Sequence, residues 1–338
     1  MPRKPRAIDI HTHIMPPGWE DYAARFGVAG WPSVVQHSAC NATLMLGERK
    51  FRDVTDQVFA PVRRIRDMEH EQIRMQLLSP IPILLCYWGA AEATAAFARM
   101  QNDYIAQVVE EHPGRFLGAG TVAMQSPAHA IPELERLKRM GFRAIEIGSH
   151  VNGKDLDDPA VVTILQAAEA LDLAVFVHPQ GPSLGEERLR AFYLPFMVGY
   201  AADNALAIAR LILGGVLERL PRLRIAFSHG GGSFPAVLGR IDHGYTVRPE
   251  AKQFIRRLPS SYAGRLYFDC LTHDPGMLAL ICKRFGTQRI MLGSDYPFDM
   301  GVEHPQAQLT GLKLSAAERD NILFRTAEEF LGLRAAGP

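Results

Sequence analysis

The chain has 338 residues, 47% of them hydrophobic and 22% charged, and its 37 Lys and Arg face 36 Asp and Glu. A chain of this length and composition can bury a large core, which excludes disorder over most of its length. The balanced charge supplies neither a basic field for a nucleic-acid backbone nor an acidic tail, and no apolar run is read as approaching the roughly 20 residues of a membrane span.

The N-terminus, Met1-Pro-Arg-Lys-Pro-Arg, carries no apolar leader before a strand-like segment begins at Ala7. From there, short runs rich in Val, Ile and Leu alternate with helical patterns. The runs are Ala7–His13, Met75–Ile83, Phe116–Met124, Ala144–Gly148, Ala174–Pro179, Arg224–Gly230, Leu266–His273 and Ile290–Pro297. Near-continuous apolar strands are what a parallel sheet covered on both faces requires. The intervening helices are expected over Pro61–Ile73, Ala91–His112, Pro127–Met140, Pro159–Leu171, Ala201–Leu220, Ser233–Tyr245, Pro275–Phe285 and Ser315–Leu331. Ser126 and Asp158, each followed by proline, read as N-caps. Eight strands alternating with eight helices predict a (β/α)8 TIM-type barrel forming one domain over the whole chain. Residues 14–60 are too long for an ordinary connection and read as a small insertion after strand 1 that forms part of the active-site wall.

Four cysteines, Cys40, Cys86, Cys270 and Cys282, show no paired spacing and read as reduced thiols in or near the core, in keeping with a cytoplasmic protein. The histidines are more informative. In Asp9-Ile-His11-Thr-His13 the two imidazoles are two apart on a strand and so share one face, with Ile8, Ile10 and Thr12 expected to face the helices. His178, His229 and Asp295 each close an apolar strand with a ligand-type side chain. Barrel closure brings those strand ends together. His11, His13, His178 and Asp295 are then the expected metal ligands, for one divalent ion: Zn2+, with Mn2+ or Fe2+ also compatible. An ion so held leaves a position for water and lowers its pKa towards ~7. His229 is the expected general base and proton donor beside it, and His229 and Asp295 are the candidate catalytic residues. Strand Ala144–Gly148 offers no lysine to bridge a second metal, and Glu146 reads as a structural carboxylate.

Asp9-Ile-His-Thr-His13, Val177-His-Pro179, Ser228-His-Gly-Gly-Gly-Ser233 and Leu292-Gly-Ser-Asp-Tyr-Pro-Phe298 together resemble the metal-dependent amidohydrolase superfamily, in particular its decarboxylating branch. Ala60-Pro61, Arg66-Asp-Met68, Gly148 with His150-Val-Asn152, and His273-Asp-Pro275 extend the resemblance from the first strand to Phe330. The resemblance implies a zinc barrel that releases CO2 from a small unsaturated carboxylic acid, without oxygen, as in the processing of ring-cleavage semialdehydes. It also implies substrate contacts from Arg52, Arg240 and Phe298. Arg52 would grip a carboxylate, and Arg240 would reach into the neighbouring subunit's site, making the enzyme a homodimer. A guanidinium suits both roles because it binds carboxylate bidentately and keeps its charge. The chain departs from the pattern at Gln180-Gly181, where Trp-Asp is usual, at Ala39 in place of lysine, and at Phe192 in place of tryptophan. The same activated water would serve hydrolysis or hydration of a related acid, and a metal-free binding barrel is a third reading.

Overall fold

A computed structural model describes residues 6–181 and 185–333; the N-terminal segment read as lacking a leader lies outside them, except for Arg6. The described residues form eleven strands: β1 (Ala7–His13), β2 (Pro32–Gln36), β3 (Asn41–Leu46), β4 (Arg49–Thr55), β5 (Ile73–Ser79), β6 (Phe116–Gly120), β7 (Ala144–Gly148), β8 (Ala174–His178), β9 (Ile225–Phe227), β10 (Tyr267–Asp269) and β11 (Ile290–Met291). Eight of them form one parallel sheet in the order β1-β5-β6-β7-β8-β9-β10-β11. It curls back on itself where the Ile10 N–H donates to Leu292 O at 3.0 Å and the Asp295 N–H to His11 O at 2.9 Å. The expected TIM-type barrel is therefore the observed fold.

Side-chain alternation divides the apolar residues as a barrel must. Ile145, Ile147, Val175, Val177, Ile225 and Phe227 pack outward on the helices, while Met75, Leu77, Ala144, Phe176, Ala226 and Met291 fill the interior. Phe324, Ala327, Phe330 and Leu331 from the C-terminal helices belong to that interior cluster and close the bottom of the barrel.

Strand β1 breaks the simple alternation. Its register with β5 shifts between Asp9 and Thr12, and Ile8 and Ile10 lie in the interior cluster rather than on the helices as the sequence pattern suggested. The irregularity turns His11 inward directly after Ile10.

The segment after β1 contains a short helix, Tyr22–Phe26, and the antiparallel sheet β2-β3-β4. Several expected helices agree closely with those observed, including Pro61–His70, Pro127–Arg139, Pro159–Ala170 and Pro275–Phe285. Asp158 is a true cap, accepting from Ala160 N at 2.9 Å. Ser126 is not, and its hydroxyl instead meets His129 Nδ1 at 2.9 Å. The helix expected over Ala201–Leu220 is broken at Gly214-Gly215 into Tyr200–Leu213 and Val216–Arg219.

Preceded by a π-turn at Pro195–Gly199, the first of these gives a continuous helical run of 19 residues with mean hydropathy 1.4. By length and composition that run is long enough to span a membrane, contrary to the reading from sequence. Here it is an outer helix of the barrel whose Ile208, Leu211 and Ile212 are part of the core. Cys86 and Cys270 are buried, but Cys40 is exposed and so is not the near-core thiol expected.

Candidate metal centre and active site

The C-terminal ends of the barrel strands carry four buried groups that no local interaction explains. His11 and His13 end β1, His178 ends β8, and Asp295 follows β11. One ligand atom from each lies within 4.8 Å of all the others. The Asp295 Oδ1 is 3.1 Å from His13 Nε2 and 3.5 Å from His11 Nε2.

The opposite ring nitrogens set the orientation of these imidazoles. His11 Nδ1 meets Asp269 Oδ2 at 2.6 Å, His13 Nδ1 meets Pro80 O at 2.8 Å, and His178 Nδ1 meets Pro179 O at 2.6 Å. A carbonyl or carboxylate at Nδ1 fixes a proton there and leaves Nε2 to take a second proton or an ion. Both His11 Nε2 and His13 Nε2 are buried with no hydrogen-bond partner. Buried lone pairs aimed at one carboxylate are costly unless a cation joins them, and the donor set of imidazoles and one carboxylate fits a divalent transition-type ion.

The electrostatics point the same way. Burial opposes charge on His11, yet Asp295 and the hydrogen-bonded Asp269 outweigh it and push the imidazole up to about 9. Burial also opposes ionisation of Asp295, but His11 and His13 hold its carboxyl below the ordinary carboxylate range. His178 is driven well below its usual value by burial and the neighbouring imidazoles.

His229 stands beside this group, its Nε2 3.2 Å from that of His178. Burial pushes it down to about 4, against the pull of Asp269, so it is neutral at physiological pH. Its backbone has a φ of 56°, and Gly230, Gly231 and Gly232 follow at 60°, 76° and 60°. A Cβ at Gly232 would lie 2.3 Å from Ala201 O, which explains why this turn is built from glycine.

Sequence reasoning missed Asp269. Buried at the end of β10, it receives His229 N at 2.9 Å, Gly230 N at 2.8 Å and Leu271 N at 3.1 Å in addition to its contact with His11. One carboxylate thus ties a clustered imidazole to the turn that presents His229. The signal was available: Tyr267-Phe-Asp269 is another apolar strand ending in a ligand-type residue. Glu146 is buried as expected, accepting from Ser79 Oγ at 2.5 Å and lying 3.7 Å from His13 Nδ1.

Two cavities open beside the cluster. One, of about 50 Å3, is lined by His13, His178, Asp295, Arg52, Phe51 and Phe298 among others. The second, of about 600 Å3, includes His229, His273, Ser233 and Met277 in its walls. Phe196, Tyr200, Asp295 and Met300 border both. A further cavity of about 470 Å3, lined by Asp9, Gln76 and residues of helix Pro61–His70, reaches none of His11, His13, His178 and His229.

Arg52, on β4, donates to Asp299 Oδ1 at 2.8 Å and to the Tyr193 hydroxyl. Its guanidinium lies 5.0 Å from the centre of the Phe298 ring, and that ring is 5.8 Å from the ring of His13. Arg240 is exposed on the outer helix Phe234–Val247 and borders neither cavity. Of the departures from the family pattern, Gln180 donates to His150 O at 2.8 Å and Gly181 O lies 3.2 Å from His150 Nε2. Ala39 is exposed in the insertion, and Phe192, 84% exposed, lines neither cavity.

The amidohydrolase family profile (Amidohydro_2) matches residues 8–333. The chain belongs to the amidohydrolase family. It is 39% identical over 329 residues to the 2-amino-3-carboxymuconate-6-semialdehyde decarboxylase of Dictyostelium discoideum, covering 96% of this chain and 91% of that one. This places it in the decarboxylating branch of the amidohydrolases, among carboxy-lyases. Solved structures share its fold. The apo IDCase of Metarhizium anisopliae superposes with a TM-score of 0.82 at 23% identity, covering 98% of each chain. A dihydroxybenzoic acid decarboxylase from Polaromonas, solved with manganese and the inhibitor 2-nitroresorcinol, gives 0.78 at 22% identity, again over 98% of each chain.

Proposed function

We propose that this amidohydrolase removes a carboxylate as CO2, without oxygen, from 2-amino-3-carboxymuconate-6-semialdehyde or a related carboxy-semialdehyde of aromatic ring cleavage. The observation that carries this reading is the convergence of three imidazoles and Asp295 beneath an arginine, in a chain 39% identical to a decarboxylase of that substrate. His11, His13, His178 and Asp295 would hold the ion, with zinc the preferred identity and manganese or iron alternatives. When bound, that ion would supply a positive charge against which negative charge can develop on the substrate.

The remaining roles belong to the chain itself. Arg52 binds the carboxylate by exchanging its contact with exposed Asp299 for the substrate, a trade between like partners that costs little. Phe298 keeps the guanidinium over the cavity and excludes water from one side. Residues 14–60 form that wall through Phe51 and Arg52. Decarboxylation replaces a carbon–carboxylate bond with a carbon–hydrogen bond, so each turnover consumes one proton. His229, neutral at rest, accepts a proton and hands it on at the reacting carbon.

A second copy of the chain completes the site. Arg240 lies one turn beyond exposed Val237 on the same helix, and Met197 and Val198, in the turn before helix Tyr200–Leu213, are exposed as well. A homodimer covering this face would bury these apolar side chains and carry Arg240 towards the partner's substrate. The free cysteines suit a cytoplasmic setting.

The test is CO2 release by the metal-loaded protein. His178→Ala and Asp295→Ala should each lose bound metal and fall to background, and undiminished release in both would overturn the proposal. Arg240→Ala should be inactive alone and regain activity when mixed with an inactive His178→Ala subunit, which still carries Arg240.

A further inference from the structure

Tyr200 is the side chain at this site with the least explained environment. It is the first residue of helix Tyr200–Leu213, placed there by the π-turn of Pro195–Gly199, and such turns often occur at functional sites. Its ring lies 5.8 Å from that of His178 and 6.2 Å from that of His229, with Phe196 packed at 5.0 Å on its other side. It borders both the Arg52 cavity and the His229 cavity.

The ring is therefore packed, but the hydroxyl is not accounted for. Among the described residues it makes no hydrogen bond, whereas other partly buried tyrosines at comparable depth do: Tyr104 donates to Phe59 O at 2.6 Å and Tyr296 to Asp67 at 2.7 Å. A partly buried phenol normally finds a partner. One that faces a cavity beside a ligand-type cluster has its partner in whatever fills that cavity.

We propose that the Tyr200 hydroxyl is a substrate contact, donating to a second oxygen of the bound acid and so restricting the site to carboxylic acids that carry such an acceptor beside the carboxylate. The inference rests on the reading of Arg52 as the carboxylate grip. With the carboxylate at Arg52 and the reacting carbon near His229, the molecule must pass Tyr200, the wall shared by the two cavities. An oxygen at that point satisfies a donor that an unsubstituted acid would leave unmet, and an unmet donor discriminates strongly. Phe196 and Met300, which border the same passage, offer no polar group to substitute for it.

The test measures binding to the zinc-loaded protein by calorimetry, with 2,6-dihydroxybenzoate and benzoate as the probe pair. Tyr200→Phe keeps the ring and removes the donor. It should weaken 2,6-dihydroxybenzoate roughly 10-fold or more while leaving benzoate unchanged, because a hydrogen bond to a charged or polarised acceptor is worth about that factor. Tyr200→Met supplies the same reading should the Phe variant fail to load zinc. Equal weakening of both acids would mean that Tyr200 only packs, and an unchanged ratio would likewise overturn the inference. Arg52→Ala separates the two levels. If it weakens both acids while Tyr200→Phe leaves their ratio intact, only the Tyr200 contact fails. If it affects neither acid, the carboxylate reading fails, and the Tyr200 inference with it.

Discussion

His11 lies between two carboxylates, Asp269 on one ring nitrogen and Asp295 facing the other. That position raises it to about 9, so in the absence of an ion it holds a proton at pH 7.5 and gives it up only as the pH climbs through 9. A divalent ion answers the same two carboxylates and must displace that proton. Metal binding at pH 7.5 should therefore release about one proton, and apparent affinity should rise about tenfold per pH unit until the pH passes 9. Calorimetric titration in buffers of different ionisation enthalpy reads the proton count directly. Asp269 acts at the same scale. Asp269→Asn should weaken metal binding about 10- to 100-fold, as loss of a carboxylate behind a ligating imidazole does, measured by competition with a chelator. The variant should also lower turnover beyond the metal effect, because the same carboxylate receives the amides of His229 and Gly230.

Elements place these groups through turns that tolerate little change. The His229 turn runs through three positive-φ glycines, and Gly232 has no room for a methyl group because Ala201 O stands 2.3 Å from the Cβ position. Gly232→Ala should cost at least about 2 kcal/mol in denaturant unfolding. Gly244→Ala, in helix Phe234–Val247 with nothing near its Cβ position, should be neutral or slightly stabilising.

The legibility of the elements follows from how each is held. β7 and β8 were readable because both faces are buried and, Glu146 and His178 apart, apolar, and the helices opening on Pro61, Pro127, Pro159 and Pro275 because proline marks their first turn. The sheet β2-β3-β4 was not readable. Arg49–Thr55 is mostly polar, with only Val54 buried along its length, so its strands are held by mutual hydrogen bonding rather than by an apolar rhythm. The slip within β1 was equally hidden, since it depends on pairing with β5 and no residue in Asp9-Ile-His-Thr marks it. The metal cluster was legible because each member ends an apolar run, where a polar side chain has no packing role. Asp269 obeyed the same rule and was overlooked because its strand continues into Cys270 and Leu271, which are also buried.

At the scale of the molecule, the barrel carries its chemistry at one end and is sealed at the other by the C-terminal helices. Phe330 is fully buried in the interior cluster with Ile8, Met75 and Tyr267. Phe330→Ala should lower unfolding free energy by about 3–5 kcal/mol, the usual cost of an aromatic cavity in a core, as read from the urea midpoint.

The barrel closes by joining its first strand to its last. His11 and His13 come from β1, whereas Asp295 is held by a hydrogen bond from its own amide to His11 O. In a chain leaving the ribosome, His11 and His13 emerge some 280 residues ahead of the carboxylate that completes the donor set. Capture of an ion by these four groups would thus wait for the last barrel strand, and a chain stalled before it would lack the means to sequester a metal tightly.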